Sequence, residues 1–276
     1  MKLLQMADAV RFPRMTTAEL RETFLLQDLF KPGEIGFTYV DLDRTVIGSA
    51  VPTVGPLTLP TNPALRSEYF LERRELGILN VGGKGTVTVD GKTFECDKLD
   101  CAYAGRGSRE VVFTSEAEAN PAAFYLLSYP AHTQYPTAMV KFADLQPLQL
   151  GAVETCNKRS IYKAIYADGL KSCQLVMGFT LLESGSNWNT MPPHTHFRRS
   201  EIYLYFDLHP AHRVIHLMGP PQETRHLLVA DRQVIVSPGW SIHAGVGTNR
   251  YAFCWGMGGE NQAYDDMDGA PITELR

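Results

Sequence analysis

The chain has 276 residues, of which 44% are hydrophobic and 20% charged, and its net charge at pH 7 is −4. That composition fits a globular chain with a sizeable core and leaves no basic footprint for nucleic acid, while no apolar run is long enough to span a bilayer. The opening residues are too weakly apolar for a secretory signal and the five cysteines lack CxxC spacing, so free thiols in the cytoplasm are expected.

Thr16-Thr-Ala-Glu19 has the form of a capping box and predicts a short N-terminal helix running to about Leu26, with Leu20, Phe24 and Leu25 buried. Phe37 to Leu42 alternates as a strand, and Pro52, Pro56, Pro60 and Pro63 stiffen the loop that follows. From Leu76 to Ser115 short strands and turns succeed one another. Thr86-Val-Thr-Val runs into Asp90-Gly91, the signature of a type I′ hairpin. Residues 116–172 connect this part to a second β-rich stretch from about Ser172 to Gly258, and an acidic, polar tail follows. The regular spacing predicts an all-β sandwich or barrel architecture.

The second stretch contains Trp188-Asn-Thr-Met-Pro-Pro-His194-Thr-His196-Phe-Arg-Arg-Ser-Glu201. Residues two apart on a strand share a face, so His194 and His196 can present two imidazoles to one point. Glu201 joins them if the chain bends over Phe197–Ser200. His243, in Ser237-Pro-Gly-Trp-Ser-Ile-His243, supplies a third imidazole from far along the chain. Three nitrogens and one carboxylate suit Zn, Fe, Mn, Ni or Cu. The spacing resembles the two-part metal motif of the cupin superfamily. Trp188 stands where that motif has its first glycine, Gly239 comes one position early, and Gly247 replaces a frequent asparagine. None of these is a ligand.

Glu72-Arg-Arg-Glu-Leu-Gly-Ile-Leu-Asn80 echoes Phe197-Arg-Arg-Ser-Glu-Ile-Tyr-Leu-Tyr205, and Gly107 to Phe113 falls where Pro238 to Gly245 falls in the second copy. The first copy has no HxH. The chain is therefore expected to hold two cupin-like β-barrels, a metal-free one in residues 1–150 and a metal-binding one in residues 151–276.

In Glu201-Ile-Tyr-Leu-Tyr-Phe206, Tyr203 and Tyr205 share the face of Glu201 and either contact a ligand or pack inside. Gln222-Glu-Thr-Arg-His226 is a second polar cluster whose cavity-facing set periodicity leaves open. Arg198 and Arg199 fit either carboxylate binding or structural pairing. His132 and His216 read as structural.

The blocks YFLERRELGILNVGG, TVTVDG, REVVF, PAHTQYPT, WNTMPPHTHFRRSE, PQETRH, SPGWSIHAGVGT and WGMGGENQAYDDMD, taken together, resemble the 5-keto-4-deoxyuronate isomerase family over almost the whole chain. That resemblance implies a cytoplasmic step of polyuronide breakdown, conversion of 4-deoxy-L-threo-5-hexosulose uronate to 3-deoxy-D-glycero-2,5-hexodiulosonate. It also implies a homohexamer and one Zn²⁺ per chain on His194, His196, Glu201 and His243. For the proton transfer the candidates are Glu223 and His226, with Glu201 as a third, and Arg225 is the candidate anchor for the substrate carboxylate. The competing readings are an Fe(II) oxygenase on the same ligands and a non-catalytic sugar-acid-binding cupin.

Overall fold

The alternating pattern of the sequence is realised as two pairs of β-sheets in a computed structural model that describes residues 1–276. Contacts divide the chain into two units. Unit 1 comprises Met1–Leu4, Leu29–Leu145 and Ala164–Met177, and unit 2 comprises Gln5–Asp28, Gln146–Lys163 and Gly178–Arg276. The sequence suggests a single cut near residue 150, whereas each unit is assembled from three separate stretches of chain. The N-terminal helix goes with unit 2 because Leu25–Leu26 pairs with strand Gln233–Ser237 and Phe24 meets Trp240 edge to face.

In the first pair, a seven-stranded sheet has the order Lys2–Leu4, Ile35–Val40, Val46–Ala50, Phe124–Pro130, Arg74–Asn80, Cys101–Ala104, Ala138–Val140. Its four-stranded partner has the order Leu57–Thr58, Val111–Ser115, Gly85–Val89, Lys92–Cys96. The last two strands form the expected hairpin, with Asp90 and Gly91 both at positive φ (47° and 82°) as a type I′ turn requires. Leu76 and Ile78 from the large sheet pack with Val87, Val111 and Phe113 from the small one, so the space between the sheets is apolar. Glu75 points to the opposite face. There its carboxylate accepts from the amides of Cys173 (2.6 Å), Gln174 (2.8 Å) and Leu175 (2.9 Å) and from the Tyr103 hydroxyl (2.8 Å).

The second pair repeats this plan. The seven-stranded sheet runs Leu148–Leu150, Arg159–Ile165, Val176–Leu182, Ala252–Gly259, Arg199–Phe206, Gln233–Ser237, Leu25–Leu26. The four-stranded sheet runs Trp188–Asn189, Ile242–Gly247, Val214–Gly219, Arg225–Val229. The four-stranded sheets and the five inner strands of the seven-stranded sheets correspond position by position, while the outermost strands differ, Lys2–Leu4 pairing parallel where Leu148–Leu150 pairs antiparallel. The internal echo in the sequence is an echo of this inner topology. The one α-helix spans Thr17–Phe24 and carries both halves of the capping box between Thr16 and Glu19. It ends two residues before the expected Leu26 because Leu25 and Leu26 pair as strand. No helix is long and apolar enough to cross a membrane.

Candidate metal centre and active site

Four elements of unit 2 bring the candidate ligands together. His194 lies in the short strand His194–Thr195, held by Asp268–Gly269. A turn then reverses the chain, closed by the Arg199 amide donating to the His196 carbonyl (3.0 Å). Glu201 is the third residue of Arg199–Phe206, a central strand of the large sheet, and His243 is the second of Ile242–Gly247 in the small one. Gly239 explains the early glycine of the second motif. A Cβ there would lie 2.9 Å from the His196 carbonyl oxygen and 3.0 Å from that of Arg199, so only glycine lets the two ligand-bearing turns meet.

The ligand atoms of His194, His196, Glu201 and His243 all lie within 4.8 Å of one another. Glu201 Oε2 is 2.8 Å from His196 Nε2 and 3.0 Å from His243 Nε2, and the latter is 3.0 Å from His194 Nε2. His196 Nδ1 is 2.9 Å from the Arg199 carbonyl, to which it donates, and this fixes the tautomer that leaves Nε2 as a lone pair for the site. Three convergent imidazole nitrogens and a buried carboxylate oxygen fit a first-row divalent metal. Burial pushes the His194 ring down to about 3, with His243 adding to the effect, so this ligand stays neutral. Burial alone would raise the Glu201 carboxyl, but His243 and His196 outweigh it and hold the group well below the usual carboxylate range.

His194, His196 and Glu201 of this cluster line a cavity of about 300 Å³, with His243 buried behind them. Phe253, Trp255, Met257 and Met267 give that wall its apolar part; Arg159, Thr190, Tyr203 and Tyr264 give it polar groups. Tyr203 faces the site, as its alternation with Glu201 predicts, and its hydroxyl is 2.9 Å from Thr190 Oγ1. Tyr205 instead sits in the core with its hydroxyl 2.7 Å from Nδ1 of the buried His216. Arg199 is committed to the carbonyls of Ala263 and Asp266. Half-buried Arg159 spends only Nη1, on the Asn157 carbonyl (2.8 Å), and burial lowers its pKa. The polar tail forms a strap over the cavity. Arg198 donates to Asp266 (2.6 Å) and Asp268 (2.8 Å), which places Tyr264 and Met267 on the cavity wall.

The three residues expected to act on the substrate are elsewhere. Glu223 and His226 are exposed, and Arg225 donates to the carbonyls of Pro13 and Met15; none lines the cavity. The reason is position, because Arg225–Val229 is the edge strand of the small sheet. Arg159 and the strap are site features with no motif of their own in the sequence. For the strap a signal existed, in Arg198-Arg199 facing the acidic run Asp265-Asp266.

The KduI/IolB family model matches residues 27–272. The chain belongs to the KduI/IolB family. Members named 4-deoxy-L-threo-5-hexosulose-uronate ketol-isomerase are 54% identical in Kineococcus radiotolerans, over 96% of both chains, and 51% identical in Opitutus terrae, over 100% of both. With this membership the chain is an enzyme of the ketol-isomerase class. An IolB-like protein from Salmonella typhimurium shares the fold with a TM-score of 0.66 at 15% identity, covering 88% of this chain and 95% of that one. Oxalate decarboxylase from Lactobacillus farciminis shares it with a TM-score of 0.61 at 12% identity, covering 89% and 88%.

Proposed function

We propose that this family member is a zinc-dependent isomerase that converts 4-deoxy-L-threo-5-hexosulose uronate to 3-deoxy-D-glycero-2,5-hexodiulosonate in pectin and polyuronide breakdown. The observation that carries the reading is that one cavity is lined both by His194, His196 and Glu201 of the four-residue cluster and by an arginine whose fork is largely unspent. The names of the relatives support the substrate, and the redox-inert metal suits a reaction with no net oxidation.

The isomerisation moves hydrogen from the hydroxyl-bearing carbon to the neighbouring aldehyde carbon, and carbonyl and hydroxyl exchange places. A bound divalent metal supplies polarisation of those two oxygens. The chain does the rest. Arg159 grips the distal carboxylate through Nε and Nη2. Tyr203 and Tyr264, whose hydroxyls burial keeps protonated, the second pushed up to about 12, donate to substrate oxygens. The apolar wall excludes water. Glu201 is the one carboxylate on the cavity wall, so proton movement between the two carbons is assigned to it rather than to Glu223 or His226.

The two units are read as cupin-like barrels, of which the second holds the metal. The assembly implied by the family resemblance is a homohexamer in the cytoplasm, and sedimentation of the purified chain tests it. The decisive experiment is NMR of the metal-loaded protein with the keto-uronate in D2O. Formation of the diulosonate with deuterium on the new hydroxymethyl carbon supports both activity and proton transfer. Product without deuterium, together with unchanged proton retention in a Glu201→Gln variant that still turns over, points to a hydride shift and removes the role of Glu201. No product, or oxygen uptake with iron, overturns the isomerase reading.

A further inference from the structure

Unit 1 keeps an arginine at the place where unit 2 has Arg199. Arg74 opens strand Arg74–Asn80 opposite Pro130, as Arg199 opens its strand opposite Gly259. Arg199 has Asp266 beside it, at 3.9 Å. Arg74 has no carboxylate partner, although it is only 7% exposed. Its Nε donates to Ser128 Oγ (3.0 Å), and its Nη2 donates to the carbonyls of Arg44 (2.6 Å) and Ser128 (2.8 Å). These are all neutral acceptors, and Nη1 takes part in no hydrogen bond. Glu75, next in the chain, is spent on the opposite face. A buried guanidinium with no carboxylate in direct contact is costly, and burial pushes this one down to about 10 although Tyr39, Tyr129 and Glu75 act in the opposite direction.

Beside it lies a hollow of about 180 Å³ lined by Tyr39, Ser67, Phe70, Arg73, Arg74 and Pro130. The Tyr39 hydroxyl makes no hydrogen bond within the protein. Two guanidinium groups and two hydroxyls thus face one small space with no acid on its wall. Arg73 Nη2 donates to the Arg66 carbonyl and lies 3.8 Å from the Glu72 carboxylate, and Ser67 Oγ is 3.1 Å from Thr61 Oγ1, so the uncommitted groups are Arg74 Nη1 and the Tyr39 hydroxyl. We propose that this hollow in unit 1 binds the carboxylate or phosphate group of a small metabolite, with Arg74 Nη1 as the central donor and Arg73 at the rim. An oxyanion there supplies the missing counter-charge and accepts the unspent donors.

Calorimetric titration of the metal-loaded protein with inorganic phosphate and, separately, with D-galacturonate at matched ionic strength tests this. Saturable binding of either anion is expected, and which one binds identifies the source of the oxyanion. Arg74→Met and Arg73→Met should each weaken it about tenfold or more, the loss of one or two charge-assisted hydrogen bonds, while turnover without added anion stays within about twofold. If Arg74→Met does not fold, Arg73→Met and Tyr39→Phe decide. No saturable binding by the wild type overturns the proposal. So does wild-type affinity in the folded variants, which is the result if the anions bind only at the metal centre.

Discussion

Leu76 and Glu201 hold the same position in corresponding strands of the two units. Each is the third residue of its strand. Leu76 pairs with Ala104 and Ser128, while Glu201 pairs with Ser237 and Met257. One side chain completes an apolar core and the other completes a ligand set. At this position the repeated framework holds a member of the candidate ligand set in unit 2 and an apolar side chain in unit 1, because the inward positions are filled differently.

One metal per chain is the expected result of elemental analysis, bound in unit 2. His194→Ala, His196→Ala and His243→Ala should each lower metal content and activity together while the far-ultraviolet circular dichroism stays unchanged, since a chain this long buries a core without the ion. Two tightly held metals per chain would contradict the metal-free reading of unit 1.

Arg159→Met should raise KM for the keto-uronate, with a loss in binding of about 1.5–3 kcal/mol for a charge-assisted contact. Arg225→Lys, remote from the cavity, should leave KM near the wild-type value. Steady-state kinetics with the two variants side by side separates the anchors, and the reverse pattern would restore Arg225.

Asp266→Asn removes the charge that Arg198 and Asn261 hold, the contacts that keep the Asp266 carboxyl down at about 2. The strap should loosen, so KM should rise more than kcat falls, and limited proteolysis should cut first within residues 260–268. Equal cleavage of variant and wild type would remove the strap from substrate binding.

His216 gives a pH signature. Burial, aided by His243, pushes its ring down to about 3, against 6.5 for a free histidine. A histidine depressed in the folded state stays neutral there while the unfolded chain takes up a proton. Its contribution to stability is thus complete above about pH 6.5 and declines as the pH falls toward 3. Urea midpoints of wild type and His216→Asn should differ less at pH 5 than at pH 7.5; a constant gap would contradict the shift.

The sequence spoke most clearly where local chemistry determines structure. Thr16 and Glu19 mark a helix start, Asp90-Gly91 a turn, and His194, His196 and Glu201 a set of donors at strand spacing, because each signal acts over a few residues. It was silent where partners come from far apart. Nothing near Arg159 announces that strand pairing will carry it to the wall beside Tyr203, and nothing near Arg225 announces that its strand lies at an edge beside Pro13 and Met15. The polar cluster at 222–226 drew attention through composition, and composition does not say which face of an edge strand looks inward.

The contact at Gly239 makes the metal centre a rigid receptor. With no side chain to hold them apart, the turn after His196 and the turn before His243 touch backbone to backbone, and this contact fixes the spacing of donors that are distant in sequence. A cage set in advance by peptide groups does not reshape itself around each ion, so occupancy among first-row metals follows the fit of each ion's preferred geometry to the fixed donors and its supply in the cell, rather than the intrinsic affinity order alone. Gly239→Ala would press on the backbone carbonyl of His196, not on any ligand atom, and so would spread the cage and weaken metal binding.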